Sequence, residues 1–489
     1  MITFDKYQSR HRGSDALREG LTVVLDVGKT LTKLSLWTRD GGLVARETRP
    51  NRRVEAGAYA ALDAEGVEAW AIEVLSGFAR HGRISAIVPV AHGAAVAVLR
   101  DGQLACPSPD YEAAPPAALR AAYDADRDVF AETGSPGLPA GLNVAVQLAW
   151  LERLHPGLLD DGAVILTWAQ YWAWRLSGVA ATEVTSLGCH SDLWRPMAAA
   201  PSRLAVSRGW DRRLAPLRRA DEVLGPITAD WAARTGLPAD VQVHCGLHDS
   251  NAALLAARGF AEIAGEEATV LSTGTWFVAM RSPGREASMD TGRLSESRDC
   301  LINVDAYGAP IPSARFMGGR EIEILSGVDA RRIDIKPDQP ALLAATPEVV
   351  AARSMVLPTF TPGVGPFPGA EGRWLNAPED PYAVRAAVSL YAALVADTSL
   401  SLIGARRAIL IEGRFAEAEV FVRALASLRP DDAVYVSNAQ HDVSYGALRL
   451  IGVAGTPSAP LERVKPLEVD ISGYAADWRR LAAGVEVAA

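Results

Sequence analysis

The most constraining feature of the chain is a pair of apolar runs near its start, separated by a glycine turn. Leu21-Thr22-Val23-Val24-Leu25 is short, apolar and β-branched, the composition of a buried strand. Asp26-Val27-Gly28-Lys29-Thr30 interrupts it. Residues 31–37 then alternate apolar and polar, as a half-buried strand does. Asp40-Gly41-Gly42 turns the chain again, into Leu43-Val44-Ala45. A chain that begins this way opens with an antiparallel meander.

Beyond the meander, helical and strand patterns alternate. Helical periodicity covers residues 67–80, and an apolar strand covers 84–90. Helices are expected at 143–154, closed by His155-Pro156-Gly157, and at 169–176, stopped by Gly178. A strand at 241–246 runs into Leu247-His248-Asp249, and 250–257 is a small-residue helix. A new strand begins at Val270. Residues 358–373 read as a Pro/Gly-rich surface loop, and 384–409 as a helical region. A strand at 408–411 enters Glu412-Gly413-Arg414 and a helix. A last strand, 433–436, leads through a loop to a helix from Tyr445. Strands alternating with helices in both halves imply an α/β architecture, with the division between the helix after Asp249 and the strand at Val270.

Composition removes several classes. Of 489 residues, 49% are hydrophobic and 22% charged, which excludes global disorder. A net charge of −9 disfavours nucleic acid or an anionic membrane as partner. Cys106, Cys189, Cys245 and Cys300 form no CxxC pair, which fits a reducing cytosol. Residues 1–20 are polar and carry no signal-like apolar segment. The richest apolar stretch, 84–99, is broken by Pro89, His92 and Gly93, so no membrane span is expected.

Gly28-Lys29-Thr30 invites a P-loop assignment, but the glycine that motif needs upstream is Val23, inside the strand. Two readings of the turn fit. One is an anion cradle, with Gly28 admitting backbone N–H groups and Lys29, Thr30 and Thr32 adding donors, while Asp26 holds a hydrated Mg²⁺. The other is a plain β-turn. Ser272-Thr273-Gly274-Thr275 is a second such turn, in the other half. Together they suggest two hairpins gripping one polyphosphate across an interdomain cleft. Asp249 either faces a ligand at a helix N-terminus or simply caps the helix. His244 and His248 lack a third metal ligand and fit core or supporting roles. His92 beside Gly93 fits a satisfied core histidine or a ligand contact. Trp150, Trp168, Trp172, Trp174 and Trp194 fit core packing or the apolar face of a sugar. Arg208, Arg212, Arg213, Arg218 and Arg219 read as a solvated helical face.

Taken together these motifs resemble the FGGY family of carbohydrate kinases, from Leu21 to about Gly455. Residues 21–37 resemble its first phosphate hairpin. Asn143, Gln147, Tyr171, Arg175, Leu176, Ser177, Gly178, Thr182, Glu183 and Thr185 match its segment N-x-x-x-Q … Y-x-x-x-R-L-[ST]-G … T-E-x-T. Residues 246–254 resemble the block with the catalytic aspartate, and 272–276 the second phosphate turn. Arg315-Phe316-Met317-Gly318-Gly319-Arg320-Glu321 also resembles the group, and 412–414 its adenosine turn. The branch it most resembles contains the rhamnulose and fuculose kinases.

The resemblance implies two actin/Hsp70/hexokinase-like (ribonuclease H-like) domains with an active-site cleft between them. After an extension at 1–20, residues 21–262 would bind sugar and carry the base, and 263–489 would bind nucleotide. It implies ATP and Mg²⁺ as cofactors, Asp249 as base, and Asp26 and Asp249 near the metal. Asp26, Gly28, Lys29, Thr30, Thr32, Ser272, Thr273, Gly274, Thr275, Gly413 and Arg414 would hold the nucleotide. His92, Gly93, Gln147, Trp168, Gln170, His248 and Asp249 would line the sugar pocket. Gln170 stands where relatives usually carry an acid, and Glu412 where they carry glycine. A 6-deoxyketohexose, a ketopentose and a sugar alcohol remain open as substrates. So do a cytoplasmic homodimer and a non-catalytic sensor on the same fold. A nicotinamide dehydrogenase does not fit, because GxGxxG is missing after the first strand.

Overall fold

A computed structural model describes residues 20–284, 292, 294–329, 333–437, 443–455 and 459–487; the extension at 1–19 lies outside them. The first strand, Leu21–Val27, pairs antiparallel with Leu31–Trp37, which pairs antiparallel with Leu43–Pro50. The opening meander is therefore present as expected. On its other side Leu21–Val27 runs parallel to Ile84–Ala91, which is parallel to Gln242–His244 and Leu247–His248. Val223–Pro226 closes that edge antiparallel.

The second sheet repeats this plan with unrelated residues. Ala268–Thr273 begins a meander through Phe277–Ser282, Pro310–Phe316 and Cys300–Val304. Its other side is parallel to Ala408–Gly413, which is parallel to Ala433–Val436, with Glu462–Arg463 closing the edge. Both sheets thus lead their parallel strands toward a glycine turn or a helix start, and the residues expected to carry chemistry sit at those strand ends.

The first strand is apolar on both faces because both are covered. Val23 and Leu25 pack with Val67, Ala71 and Leu75 of the helix Ala64–Phe78, which Asp63 caps through the Gly66 N–H at 2.9 Å. Val24 faces the opposite way, into a cluster with Ala252, Ala256, Ala447 and Leu448. Two of these residues belong to the helix Asp249–Ala257 and two to Val443–Leu450. A helix late in the chain therefore packs on the first sheet. The approach is close: a Cβ on Gly446 would collide with the Ala252 carbonyl oxygen.

The second sheet is covered by Pro381–Leu402, Gln339–Ala351 and Glu419–Leu428. Pro381–Leu402 is long and apolar enough to cross a membrane by composition, but 78% of its most apolar window is buried inside the fold, so it serves as a core helix. The arginine run at 208–219 does not form one helical face. The chain there is the 3-10 turn Trp210–Arg212 followed by the strand Leu217–Arg218, and the arginines pair with separate acids, Arg208 with Asp126 and Glu152 and Arg218 with Glu222.

Substituting Gly446→Ala is expected to destabilise the protein by about 1–3 kcal/mol, the usual range for overpacking. Urea unfolding checks it; an unchanged midpoint would mean that the two helices separate freely.

Candidate active site

The first turn is fastened by Asn51, a residue that belongs to no recognisable motif. Gly28 N–H donates to Leu31 O at 3.1 Å, and Asn51 Nδ2 donates to Gly28 O at 2.7 Å. Thr32 Oγ1 donates to Asn51 Oδ1 at 2.7 Å, so the Thr32 hydroxyl holds the turn instead of facing outward. Thr30 remains exposed at the tip. Asp26 is buried and ion-paired with Lys33 at 2.8 Å. Lys29 leaves the turn sideways. Its ammonium is paired with buried Asp110 and lies 4.6 Å from the Tyr111 ring centroid. Burial pulls its pKa down and Asp110 partly restores it.

The second turn is knitted to the turn at 412–415 beside it. Thr273 Oγ1 donates to Glu412 O at 2.6 Å and accepts from Phe415 N–H at 3.0 Å, while Ser272 Oγ donates to the Glu412 carboxyl at 2.6 Å. Burial raises Glu412 to about 7. Thr275 is exposed and Gly274 half-buried. A Cβ on Gly319 would collide with Gly274 O, so the pair Gly318-Gly319 lets the helix Gly318–Ser326 start directly against this turn. Gly413, at φ +85°, lies so close to Thr273 O that a side chain would not fit. Arg414 pairs with Glu417 at 3.3 Å.

Between the two halves lies a cleft of about 630 Å³. Lys29, His92, Gly93, Tyr111, His248 and Asp249 line it from one side, and Trp276, Arg315 and Met317 from the other. Asp249 is the first residue of its helix, where the dipole favours a negative charge. Its Oδ1 accepts from Ser250 N–H at 2.6 Å and sits 3.1 Å from His248 Nε2. Burial pushes this carboxyl up, but the His248 charge and hydrogen bond outweigh burial and hold it below its ordinary value. At 29% exposure the side chain reaches the cleft as a carboxylate. Across the cleft, Arg315 donates to Asp299 Oδ1 at 2.8 Å and stacks 5.0 Å from the Trp276 centroid.

The expected sugar-side residues divide into two groups. His92 is in the cleft wall, edge-on to Tyr111 at 5.5 Å, and both its ring nitrogens are buried without a hydrogen-bond partner. Burial holds it neutral, at about 4. Buried polar atoms are normally satisfied, so these nitrogens point to a ligand. Gly93 is also in the wall. Gln147, Gln170 and Trp168 stand behind it. Gln147 Nε2 bonds Ala94 O at 2.9 Å and Gly141 O at 2.6 Å, pinning two loops that edge the cleft. Gln170 Nε2 bonds Cys245 O at 3.2 Å and Gly246 O at 3.1 Å, on the segment leading to Asp249. Trp168 stacks on Tyr171 at 4.9 Å, with its centroid 6.4 Å from that of His92. Asp110 and Tyr111 escape sequence reasoning, because no motif carries them; Trp276 and Arg315 lie within motifs the sequence shows, but their meeting with the first half is set by the folded cleft.

The two halves also match known proteins. Residues 126–256 match the N-terminal domain of the FGGY family of carbohydrate kinases, and residues 265–460 the C-terminal domain of FGGY carbohydrate kinases. The chain is 56% identical to a carbohydrate kinase from Novosphingobium aromaticivorans of solved structure, covering 94% of this chain and all of that one at TM-score 0.90. A xylulose kinase structure from Rhodospirillum rubrum shares the fold at TM-score 0.77 and 20% identity, over 96% of this chain and 99% of that one. L-fuculokinase from Escherichia coli K12 is 27% identical over 63% of this chain and 66% of its own length, so the chain matches just under two thirds of that relative.

The two bonds donated by Gln170 call for an amide at this position. Gln170→Glu strands two buried carbonyls, at about 1–3 kcal/mol. The new carboxyl, buried against carbonyl oxygens, has a folded pKa above its unfolded value. Stability is therefore retained at low pH and lost as pH rises through the folded value. Urea midpoints should fall more at pH 7.5 than at pH 5; equal losses at both would contradict this.

Proposed function

The chain belongs to the FGGY family of carbohydrate kinases, and from that premise we propose that it transfers the γ-phosphoryl group of ATP to a hydroxyl of a neutral ketose. The observation that carries this reading is Asp249: a carboxylate fixed at a helix start, reaching into a cleft between two glycine turns, on the same wall as unsatisfied His92. We assign residues 21–262 to the sugar side and 263–489 to the nucleotide side, with the helix Val443–Leu450 crossing back onto the first sheet.

Phosphoryl transfer is mainly positioning and charge stabilisation. Gly28 and Gly274 spend their own N–H groups closing the turns, on Leu31 O and Trp276 O, so phosphate oxygens would meet the turn residues after them, Thr30 and Thr275 among them. Gly413 and Arg414 would border the adenosine. Contacts from His248 and Ser250 go to Asp249 Oδ1, which leaves Oδ2 to orient the acceptor hydroxyl and take its proton. His92 supplies a neutral ring to other hydroxyls. Magnesium bound with nucleotide keeps much of its water and needs only one or two protein carboxylates. Asp249, which reaches the cleft, fits that sparse requirement, while Asp26, buried and paired with Lys33, would act on the ion only through water; among the described residues no cluster of three ligating side chains forms. The ion would neutralise charge on the transferring phosphoryl group.

The acceptor's neutrality follows from charge matching. Lys29 is paired with Asp110, Arg315 with Asp299 and His248 with Asp249, so these cations of the cleft already have carboxylate partners. A sugar acid would meet no unmatched cation among them. The likeness to L-fuculokinase favours a 6-deoxyketohexose, such as L-fuculose or L-rhamnulose, over a ketopentose.

A coupled ADP-release assay over ketoses, polyols and aldonates, with Mg-ATP, should give its strongest turnover on a 6-deoxyketohexose and little on gluconate. Asp249→Asn should lower that turnover by at least about 100-fold. Silence across the panel, or an active Asp249→Asn, would overturn the reading. Lys29→Met, removing a cleft wall and not a phosphate ligand, should raise the KM for sugar by about tenfold and that for ATP far less. A loss confined to ATP would return Lys29 to the phosphate site.

A further inference from the structure

His248 is not a catalytic group in the reaction above, yet the chain fixes it from every side. Its backbone N–H donates to Thr185 Oγ1 at 2.9 Å, and Thr185 Oγ1 donates in turn to Glu183 Oε2 at 2.5 Å. Glu183 is fully buried and also accepts from Thr185 N–H at 2.9 Å. The threonine and glutamate of the T-E-x-T segment therefore hold the main chain just before Asp249.

The ring is fixed as well. Nδ1 lies 3.3 Å from Asn251 Nδ2, and Nε2 lies 3.1 Å from Asp249 Oδ1 and 3.5 Å from Cys189 Sγ. Whether the ring is neutral with its proton on Nε2 or charged with both nitrogens protonated, an Nε2–H points at the carboxylate. Cys189 is buried, and Gly93 makes room for it. A Cβ at position 93 would come within 2.7 Å of Sγ and 3.0 Å of His248 Cδ2. The ring thus donates to Oδ1 in either state.

A carboxylate with two rotatable bonds, held only by the N–H at 2.6 Å and the hydroxyl at 3.2 Å of the next residue, Ser250, would still swing. Fixing Oδ1 from the side fixes the direction of Oδ2. We propose that His248, braced by Cys189, Asn251 and Thr185, is a positioning residue that aims the Asp249 carboxylate at the acceptor hydroxyl. This rests on Asp249 being the base.

The test compares His248→Ala, His248→Gln and Asp249→Asn with the wild type, using Mg-ATP and L-fuculose as first probe, or the ketose the panel selects. Loss of a supporting partner typically costs 10–100-fold. His248→Ala should lower kcat by about that factor while leaving both KM values within about threefold. His248→Gln, whose amide still donates, should recover most of the loss. His248→Ala combined with Asp249→Asn should be no slower than Asp249→Asn alone, as residues acting as one unit behave.

Far-UV dichroism and urea midpoints check folding. Should the alanine variant not fold, the glutamine variant and Asn251→Ala, expected to lower kcat without changing KM, carry the same comparison. Three results overturn the inference alone: an unchanged kcat with a raised sugar KM, equal loss in folded Ala and Gln variants, or additive losses in the double variant. An inactive wild type, or an active Asp249→Asn, overturns the underlying assignment of the base and this inference with it.

Discussion

The helix beginning with Asp249 is pressed against the helix Val443–Leu450 so closely that position 446 admits only glycine. The first helix leaves the first sheet and the second leaves the second sheet, so this contact joins the two halves. Leu448 and Ala252 share one apolar cluster with Val24 and Val88 of the first sheet. The direction in which Asp249 points, and the gap between the two glycine turns, both depend on this packing. Shifting a close-packed interior even slightly costs contacts, which is why the helix start is a rigid place for a reactive carboxylate.

Around that fixed point the cleft balances its charge. Lys29 and Arg53 share Asp110, Arg53 pairs with Glu112 as well, Arg315 is held by Asp299, and Asp299 also accepts from Gly365 N–H at 3.1 Å. A buried charge without a partner is costly. Pairing each one leaves polar groups able to meet hydroxyls without an excess of either sign. His92 is the exception among these polar groups, being neutral and unsatisfied. Its two ring nitrogens are what a polyol would complete.

Much of the fold is legible in the sequence because burial leaves a strong local mark. The strand Leu21–Val27 is covered on both faces and is therefore a continuous apolar run; the next strand alternates. Asp249, Gly28 and the second turn are legible for the same reason, as each sits where a recognisable strand ends. Gln147 and Gln170 stand out by motif, but their geometry is that of clamps on carbonyl groups, which sequence alone does not encode. Thr32 is expected to face an anion and instead bonds Asn51. Asn51 and Asp110 leave no signal, and Arg315 and Cys189 show only as part of a motif and as a lone cysteine, because the role of each is set by a partner far away in the chain. The arginine run suggests a helix by spacing alone, and the glycine and proline within it break that helix.

The central claim is that this cleft passes a phosphoryl group from ATP to a sugar hydroxyl instead of to water. Incubating the protein with Mg-ATP labelled in its γ-phosphoryl oxygens, together with L-fuculose, and tracing the label by mass spectrometry tests it directly. The account predicts label in a sugar phosphate ester, mole for mole with ADP. Label confined to inorganic phosphate, or no ADP formed with any ketose, would contradict it.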